Sequence, residues 1–114
     1  DIASQLLTQL GYTVTTATDG QDAVDRYTLA GGGGIDLVII DMMMPRMGGR
    51  DCFRALRRIN PSIRAIVSSG YGLNEAVQEI LDDGAISFVQ KPYALDQFSQ
   101  AVETALKGRA RLSG

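Results

Sequence analysis

The sequence contains no histidine, and this absence excludes several kinds of chemistry. Its 114 residues offer no imidazole that could act as the base of a Ser-His or Cys-His pair, bind a metal ion or carry a phosphoryl group. Carboxylates, hydroxyls, backbone groups and Lys91 remain as candidate reactive groups. Any chemistry of this chain therefore has to use these groups.

Cysteine is almost as scarce. Cys52 is the single cysteine, which excludes a disulfide within the chain and predicts a reducing, cytoplasmic compartment. Nothing near Cys52 in the sequence supplies an obvious base, so a semi-buried structural thiol in a helix is favoured over a reactive one.

Long apolar runs and strong net charge are also missing. No run approaches membrane-spanning length and no export leader is recognisable, so neither membrane insertion nor export is expected. The net charge of −2 argues against general nucleic-acid binding. The length and the 45% hydrophobic content fit one globular domain with a real core.

Predicted helices and strands alternate along the chain. β-Branched or continuously apolar runs predict strands at residues 12–17, 35–41, 63–68 and 86–90, and amphipathic spacing predicts helices at residues 2–10, 21–30, 50–59, 74–83 and 95–106. This order predicts a doubly wound α/β domain with a parallel sheet. The domain is expected to span residues 1–107, and residues 108–114 are expected to form a frayed tail or linker because they have no apolar periodicity.

The segment 35–41 is the most informative strand. Five of its seven residues are apolar, as expected for a strand buried on both faces, and it ends at the carboxylate of Asp41. Ligands and chemistry collect at the carboxyl ends of strands in open α/β sheets, so Asp41 is a candidate reactive group. Taken alone, Asp41 could equally cap the following loop or helix.

Two more predicted strands end in polar side chains. Ser69 and Lys91 follow them, and parallel strands would bring both residues to the same sheet edge as Asp41. Each has a simpler interpretation, since Ser69 could be a turn hydroxyl and Lys91 a solvated cation. Together, the three groups could handle a phosphoryl group, with the carboxylate as the nucleophile and the hydroxyl and ammonium contacting phosphoryl oxygens.

At these residues the chain resembles the receiver domain of bacterial two-component response regulators. The resemblance covers nearly the whole chain, and its matching segments are Ile-Ile-Asp41-Met-Met-Met-Pro-Arg-Met-Gly-Gly, Ser-Ser69-Gly-Tyr and Phe88-Val-Gln-Lys91-Pro-Tyr, with Leu-Gly11-Tyr and Asp-Gly20 in support. The Ser-Ser-Gly-Tyr and Lys-Pro-Tyr variants are most similar to receivers attached to hybrid sensor kinases. The fold implied is flavodoxin-like, with strand order 2-1-3-4-5.

The resemblance also implies a role for each matching residue. Asp41 would accept a phosphoryl group from the histidine of a partner kinase, Ser69 would be the switch hydroxyl and Lys91 would contact the phosphoryl group. Phe88 stands at the position of an aromatic that turns inward on activation, although it could simply be a core residue. The Lys91–Pro92 peptide bond is expected to be cis, as in the family.

One departure from the family concerns Mg²⁺. In the family, an acidic pair at the end of a first strand binds Mg²⁺ together with the phosphoacceptor carboxylate and a backbone carbonyl, here those of Asp41 and Met43. The sequence begins at Asp1, within the expected first helix, so this strand and its acidic pair are expected upstream and are absent from the chain. Either an amino-terminal piece has been lost or the strand is supplied in another way, and this chain is expected to bind Mg²⁺ poorly.

Three functions remain open. The first is a phosphoacceptor switch whose partner is a histidine kinase or phosphotransfer domain, and which is a substrate with slow self-dephosphorylation rather than a turnover enzyme. The second is a pseudo-receiver that acts through protein contacts alone, a hypothesis that the missing acidic pair favours. The third, a small hydrolase using Asp41, lacks a second catalytic carboxylate nearby and a substrate cap. A receiver–receiver dimer is a further possible partnership, and direct binding of nucleic acid is not expected.

Overall fold

The computed structural model describes residues 2–31, 34–42, 47–70 and 72–113. Within these ranges, a three-stranded sheet is combined with five helices. The strands are β1 Val38–Asp41, β2 Ala65–Ser69 and β3 Ser87–Gln90. The helices are α1 Ile2–Gln9, α2 Gly20–Ala30, α3 Gly49–Ile59, α4 Glu75–Asp82 and α5 Leu95–Ser113.

The sheet is parallel, with the order β1-β2-β3. All five residues of the central strand β2 are buried, as the apolar composition of its first part predicts for a strand covered on both faces. Asp41 of β1 is the register partner of Ser68, and Ser69 is the register partner of Gln90 in β3. The register therefore brings the carboxyl ends of the three strands to one edge, as the sequence predicts.

Two core clusters lie on opposite faces of this sheet. In the first, α2, α3 and α4 pack on one face through Tyr27, Ile40, Cys52, Phe53, Leu56, Ala65, Val67, Val77, Ile80 and Ala85. In the second, α5 covers the other face through Ile66, Val89, Phe98, Val102 and Ala105, with α1 contributing partly buried side chains. This three-layer arrangement is the doubly wound α/β architecture predicted from the sequence.

Polar side chains begin the helices that flank the site edge of the sheet. The Asn74 Oδ1 atom accepts a hydrogen bond of 3.0 Å from the backbone N–H of Val77, which confirms Asn74 as the predicted N-cap of α4. Asp19, predicted as part of a turn, also caps α2 by accepting a 2.9 Å bond from Asp22 N. Gly20 follows it where space is short, since a Cβ there would lie 2.6 Å from the Cβ of Met47.

Cys52 is more deeply buried than the sequence suggests. Its side chain lies fully inside the first core cluster, and this burial raises the pKa of the thiol to about 11. The thiol is therefore protonated at neutral pH and structural, in agreement with the favoured interpretation.

The prediction of a strand at residues 12–17 is wrong. The backbone there forms no strand, and among the described residues β1 pairs only with β2. In the strand order that the resemblance implies, a further strand would separate this segment from β1. Residues 12–17 therefore have the β-branched side chains of a strand but no neighbouring strand with which to form a ladder.

The end of the last helix, predicted at residue 106, is also wrong. Helix α5 extends to Ser113, through the segment predicted as a tail or linker. Most residues added beyond Gly108 are arginine, alanine and leucine, which have high helix propensity and continue a helix without needing buried contacts. The assignment of residues 108–114 as a linker to another domain stays a prediction.

A cavity of about 700 Å³ lies between α1, the segment 12–18 and the outer side of β1. Its lining includes Leu7 of α1, Thr15, Ile39, and the site-edge residues Asp41 and Tyr93. Both core clusters contribute lining residues, so the cavity lies at the level of the sheet. It occupies the place in which the family order puts a strand between residues 12–17 and β1.

No helix in the described part of the chain is both long and apolar enough to cross a membrane.

Candidate functional site

Asp41 and Lys91 meet at the carboxyl edge of the sheet. Asp41 is the last residue of β1, Lys91 follows the last residue of β3, and the Nζ of Lys91 donates to Oδ2 of Asp41 above the end of β2. The two side chains are 39% and 37% exposed, so a ligand can reach the pair from solvent. The structure thus joins two of the three residues that the sequence singles out.

Ser69 lies at the same edge, one residue beyond the register partner of Asp41. It is almost fully buried, and its carbonyl oxygen accepts a 2.9 Å hydrogen bond from the backbone N–H of Lys91. Side chains alternate along a strand, so Ser69 projects toward the face covered by α3 and α4, whereas Asp41 shares the opposite face with Ser68. The structure brings Ser69 to the site edge, and a contact between its hydroxyl and a phosphoryl group stays a prediction.

Phe88 lies on β3 directly beside Val67 of β2. It is half-buried and packs against the first core cluster, on the face that also carries the side chain of Ser69. This position fits both a core aromatic and an aromatic that moves in response to Ser69. The switching role of Phe88 stays a prediction.

Two further residues at this sheet edge, Ser68 and Tyr93, were not predicted from the sequence as part of the site. The Oγ atom of the buried Ser68 lies 2.6 Å from the Oη atom of Tyr93, and both residues line the same cavity as Asp41. The Lys91–Pro92 bond before Tyr93 is cis, as the resemblance implies. The Ser-Ser doublet and the tyrosine after Lys-Pro were the available signals, but choosing the serine that faces Asp41 requires the strand register.

The predicted magnesium ligands are incomplete. Met43, whose carbonyl the resemblance implies as a ligand, lies outside the described residues, and the acidic pair is expected upstream of Asp1. In the described ranges, no three His, Cys, Asp or Glu residues form a group that could hold a metal ion. Asp41 is moreover engaged by a lysine, and Mg²⁺ requires near-octahedral oxygen ligands. The residues that the structure describes therefore do not by themselves form a magnesium site.

A second cluster of charged side chains connects α3 with α4. Arg50 donates to Glu79 and, over 2.9 Å, to Asp83, which also receives a 3.2 Å hydrogen bond from Arg54. The hydrogen bond from Arg50 lowers the pKa of Asp83 below its ordinary value, because it stabilises the ionised carboxylate. The cluster joins the first half of α3 to the end of α4.

Comparisons with known proteins fit this geometry. The family model for the response regulator receiver domain matches residues 1–103. The chain belongs to this family. The chemotaxis protein CheY of Thermotoga maritima is 32% identical over 90% of this chain and 83% of its own length. The sporulation initiation phosphotransferase F of Bacillus subtilis is 30% identical over 92% of this chain and 82% of its own length.

Solved structures give the same result for the fold. A response regulator receiver domain protein from Clostridium thermocellum has a TM-score of 0.88 at 28% identity, covering 96% of this receiver domain and 86% of that chain. A chain of the CheX-CheY-BeF3-Mg+2 complex from Borrelia burgdorferi has a TM-score of 0.81 at 31% identity, over 89% and 75% of the two chains. The predicted flavodoxin-like class is thus confirmed.

Some relatives are much longer than the receiver domain described here. The sensor kinase CckA of Brucella abortus is 34% identical over 85% of this chain, but the match spans only 10% of the length of CckA. The tetrathionate response regulatory protein TtrR of Salmonella typhimurium is matched over 48% of its length. Receiver domains of this kind therefore occur both nearly alone and within larger proteins.

Proposed function

We propose that this receiver domain is a phosphoacceptor switch of a two-component phosphorelay and that Asp41 accepts the phosphoryl group. The contact between Asp41 and Lys91 at the solvent-accessible edge of the sheet carries the proposal. A carboxylate is a nucleophile toward phosphorus, and a neighbouring ammonium is the point charge that a transferred phosphoryl group needs. Membership of the receiver family supports the same assignment.

The donor is a phosphohistidine on a histidine kinase or phosphotransfer domain. An Oδ atom of Asp41 attacks phosphorus, the P–N bond breaks, and the imidazole of the donor keeps the electron pair of that bond and takes up a proton. The product is an acyl phosphate on Asp41. Lys91, already in contact with Asp41, moves its ammonium onto a phosphoryl oxygen and balances part of the added charge.

This proposal makes the protein a substrate that loses its phosphoryl group slowly by hydrolysis, rather than a turnover enzyme. A relative whose name includes a phosphotransferase and a structural neighbour solved with BeF3 and Mg support phosphoryl chemistry at this fold position. The length of CckA supports a hybrid sensor kinase as one natural setting for such a domain.

Transfer from a phosphorylated histidine phosphotransfer protein tests the proposed partner. With labelled phosphohistidine as the donor, label should move to this protein, extended upstream by about a dozen residues so that a further strand is available. The adduct should be stable in acid and labile in base, as an acyl phosphate is. Several such donors should be tried. If none transfers its label although acetyl phosphate does modify Asp41, the proposed histidine donor is wrong and the role of Asp41 as the phosphoacceptor stands.

The buried hydroxyl of Ser69 is proposed to relay phosphorylation to Phe88 and α4. Moving the active population from 1% to 99% requires a preference of roughly 5.5 kcal/mol. Hydrogen bonds to a charged acceptor contribute about 1.5–3 kcal/mol each, so Ser69 and Lys91 suffice only when both engage the phosphoryl group.

Ser69→Ala should therefore leave phosphorylation possible but reduce the conformational shift. The measurement is the amide spectrum with beryllofluoride, which stands in for a phosphoryl group on Asp41. Ser87→Ala, at the amino end of β3, is the matched control and should keep the full shift. If the Ser69→Ala spectrum with beryllofluoride equals that of the activated parent, Ser69 is not the relay.

A pseudo-receiver that works through protein contacts alone is the second candidate. The absence of a metal-binding acidic group among the residues that the structure describes favours it. The Asp41–Lys91 pair opposes it, because a pure docking module has no need for an exposed carboxylate and ammonium held together. Failure of both acetyl phosphate and phosphohistidine to modify Asp41 would favour this candidate.

A further inference from the structure

The hydroxyls of Tyr93 and Ser68 form a pair that the proposed phosphoryl chemistry does not yet use. Their oxygen atoms are 2.6 Å apart, and Ser68 is only 1% exposed. Ser68 is the register partner of Asp41, and its carbonyl oxygen accepts a 3.0 Å hydrogen bond from the N–H of Met42. The pair thus lies against the strand end that carries Asp41.

The same pair limits the movement of the loop that carries Lys91. This loop leaves β3 after Gln90 and enters α5 at Leu95. At its start, Lys91 N donates to Ser69 O over 2.9 Å, and at its end Tyr93 is bonded to Ser68. The last two residues of β2 therefore hold both ends of the short stretch that presents the ammonium to Asp41.

The ring of Tyr93 is held from the other side as well. Its centroid lies 4.7 Å from that of Phe98, a buried residue of α5, at a tilt of 35°. Packing against Phe98 orients the Tyr93 ring, and the hydrogen bond to Ser68 limits the distance between the loop and β2. Tyr93→Phe would keep the ring packing and remove the hydrogen bond to Ser68.

We propose that Tyr93, through its hydrogen bond to Ser68, is a positioning residue that holds Lys91 against Asp41. This inference rests on the proposed function for its consequence in phosphorylation, but the placement of Lys91 can be measured without any phosphoryl donor. The alternative is that the bond only satisfies a buried serine hydroxyl, as buried polar groups generally require.

Two variants separate positioning from a merely structural role. Tyr93→Phe removes the bond and leaves the Ser68 hydroxyl buried without this partner, so it should lower the melting temperature. Ser68→Ala combined with Tyr93→Phe removes both polar groups, which is close to neutral for stability, so the melting temperature should recover. Tyr27→Phe is the matched control, because it removes a 2.9 Å hydrogen bond that joins Tyr27 of α2 to Asn60 at the end of α3.

The first measurement is nuclear magnetic resonance of the Lys91 ammonium in the chain. In the parent and in Tyr27→Phe, the Nζ protons should show the slow exchange of a group bonded to a carboxylate. In Tyr93→Phe and in the double variant, they should exchange like those of a solvated lysine. An unchanged Lys91 signal in Tyr93→Phe would overturn the proposal, whether or not the protein is ever phosphorylated.

The second measurement is the rate of phosphorylation by acetyl phosphate in the upstream-extended chain. Tyr93→Phe and the double variant should both be slower than the parent by about five- to tenfold, since small misplacements of a charged group cost rate. On a Lys91→Ala background, Tyr93→Phe should have no further effect. A double variant that recovers the parent rate together with its stability would show that the bond is structural only. A parent that is never modified would instead refute the proposed phosphoacceptor function, and the resonance measurement would still decide the role of Tyr93.

Discussion

Asp41→Asn should all but eliminate the acyl phosphate adduct expected on this protein. Asparagine has nearly the same shape, so the strand end and the site edge remain, but a neutral amide oxygen is a very poor nucleophile toward phosphorus. The rate of modification by acetyl phosphate with Mg²⁺ should fall at least about a thousandfold, equivalent to roughly 4 kcal/mol in the barrier. Intact-mass analysis of the upstream-extended chain measures the loss directly.

The matched control for this variant is Asp36→Asn. Asp36 is an exposed carboxylate that precedes β1, at the end of the strand opposite to Asp41. This control should form the adduct at the parent rate, which separates loss of the nucleophile from loss of one negative charge. An adduct that survives Asp41→Asn at a comparable rate would place the chemistry on another residue.

Binding of Mg²⁺ should differ strongly between the 114-residue chain and a chain that is extended upstream by about a dozen residues. In the described part of the shorter chain, Asp41 meets no further carboxylates in a metal-binding group, and Lys91 neutralises it. Crowded acids repel one another and attract a cation, and this effect is missing for a single carboxylate paired with an ammonium. We expect the shorter chain to bind at least about tenfold more weakly, a difference of roughly 1.4 kcal/mol.

Calorimetric titration of both chains with MgCl₂ measures this difference. The extended chain carrying Asp41→Asn should bind about as weakly as the shorter chain, which shows that the gain belongs to the site and not to the added residues alone. Equal and tight binding by the two parent chains would mean that residues upstream of Asp1 are not needed for the metal.

The sequence predicted the sheet edge well because strong hydrophobic patterns define it. A continuous apolar run predicts β1, short runs rich in apolar residues predict β2 and β3, and parallel connections then imply that Asp41, Ser69 and Lys91 lie at one edge. The start of α4 was predicted from Asn74 because a side-chain cap acts over three residues and is readable locally.

Features that depend on distant partners were not predictable in this way. Residues 12–17 have strand composition, but a strand requires a neighbour, and the described sheet offers none beside them. The Ser68–Tyr93 bond was missed because only the register between β1 and β2 shows which serine of the doublet lies on the face of Asp41.

Covalent attachment of a phosphoryl group to Asp41 can be tested directly. Reduction of the phosphorylated protein with borohydride converts an aspartyl phosphate into homoserine, and peptide sequencing by mass spectrometry then locates it. Homoserine should be found at residue 41 alone, and only in protein that was first exposed to the phosphoryl donor. Homoserine at another aspartate, or phosphorylated protein in which Asp41 remains unchanged, would contradict it.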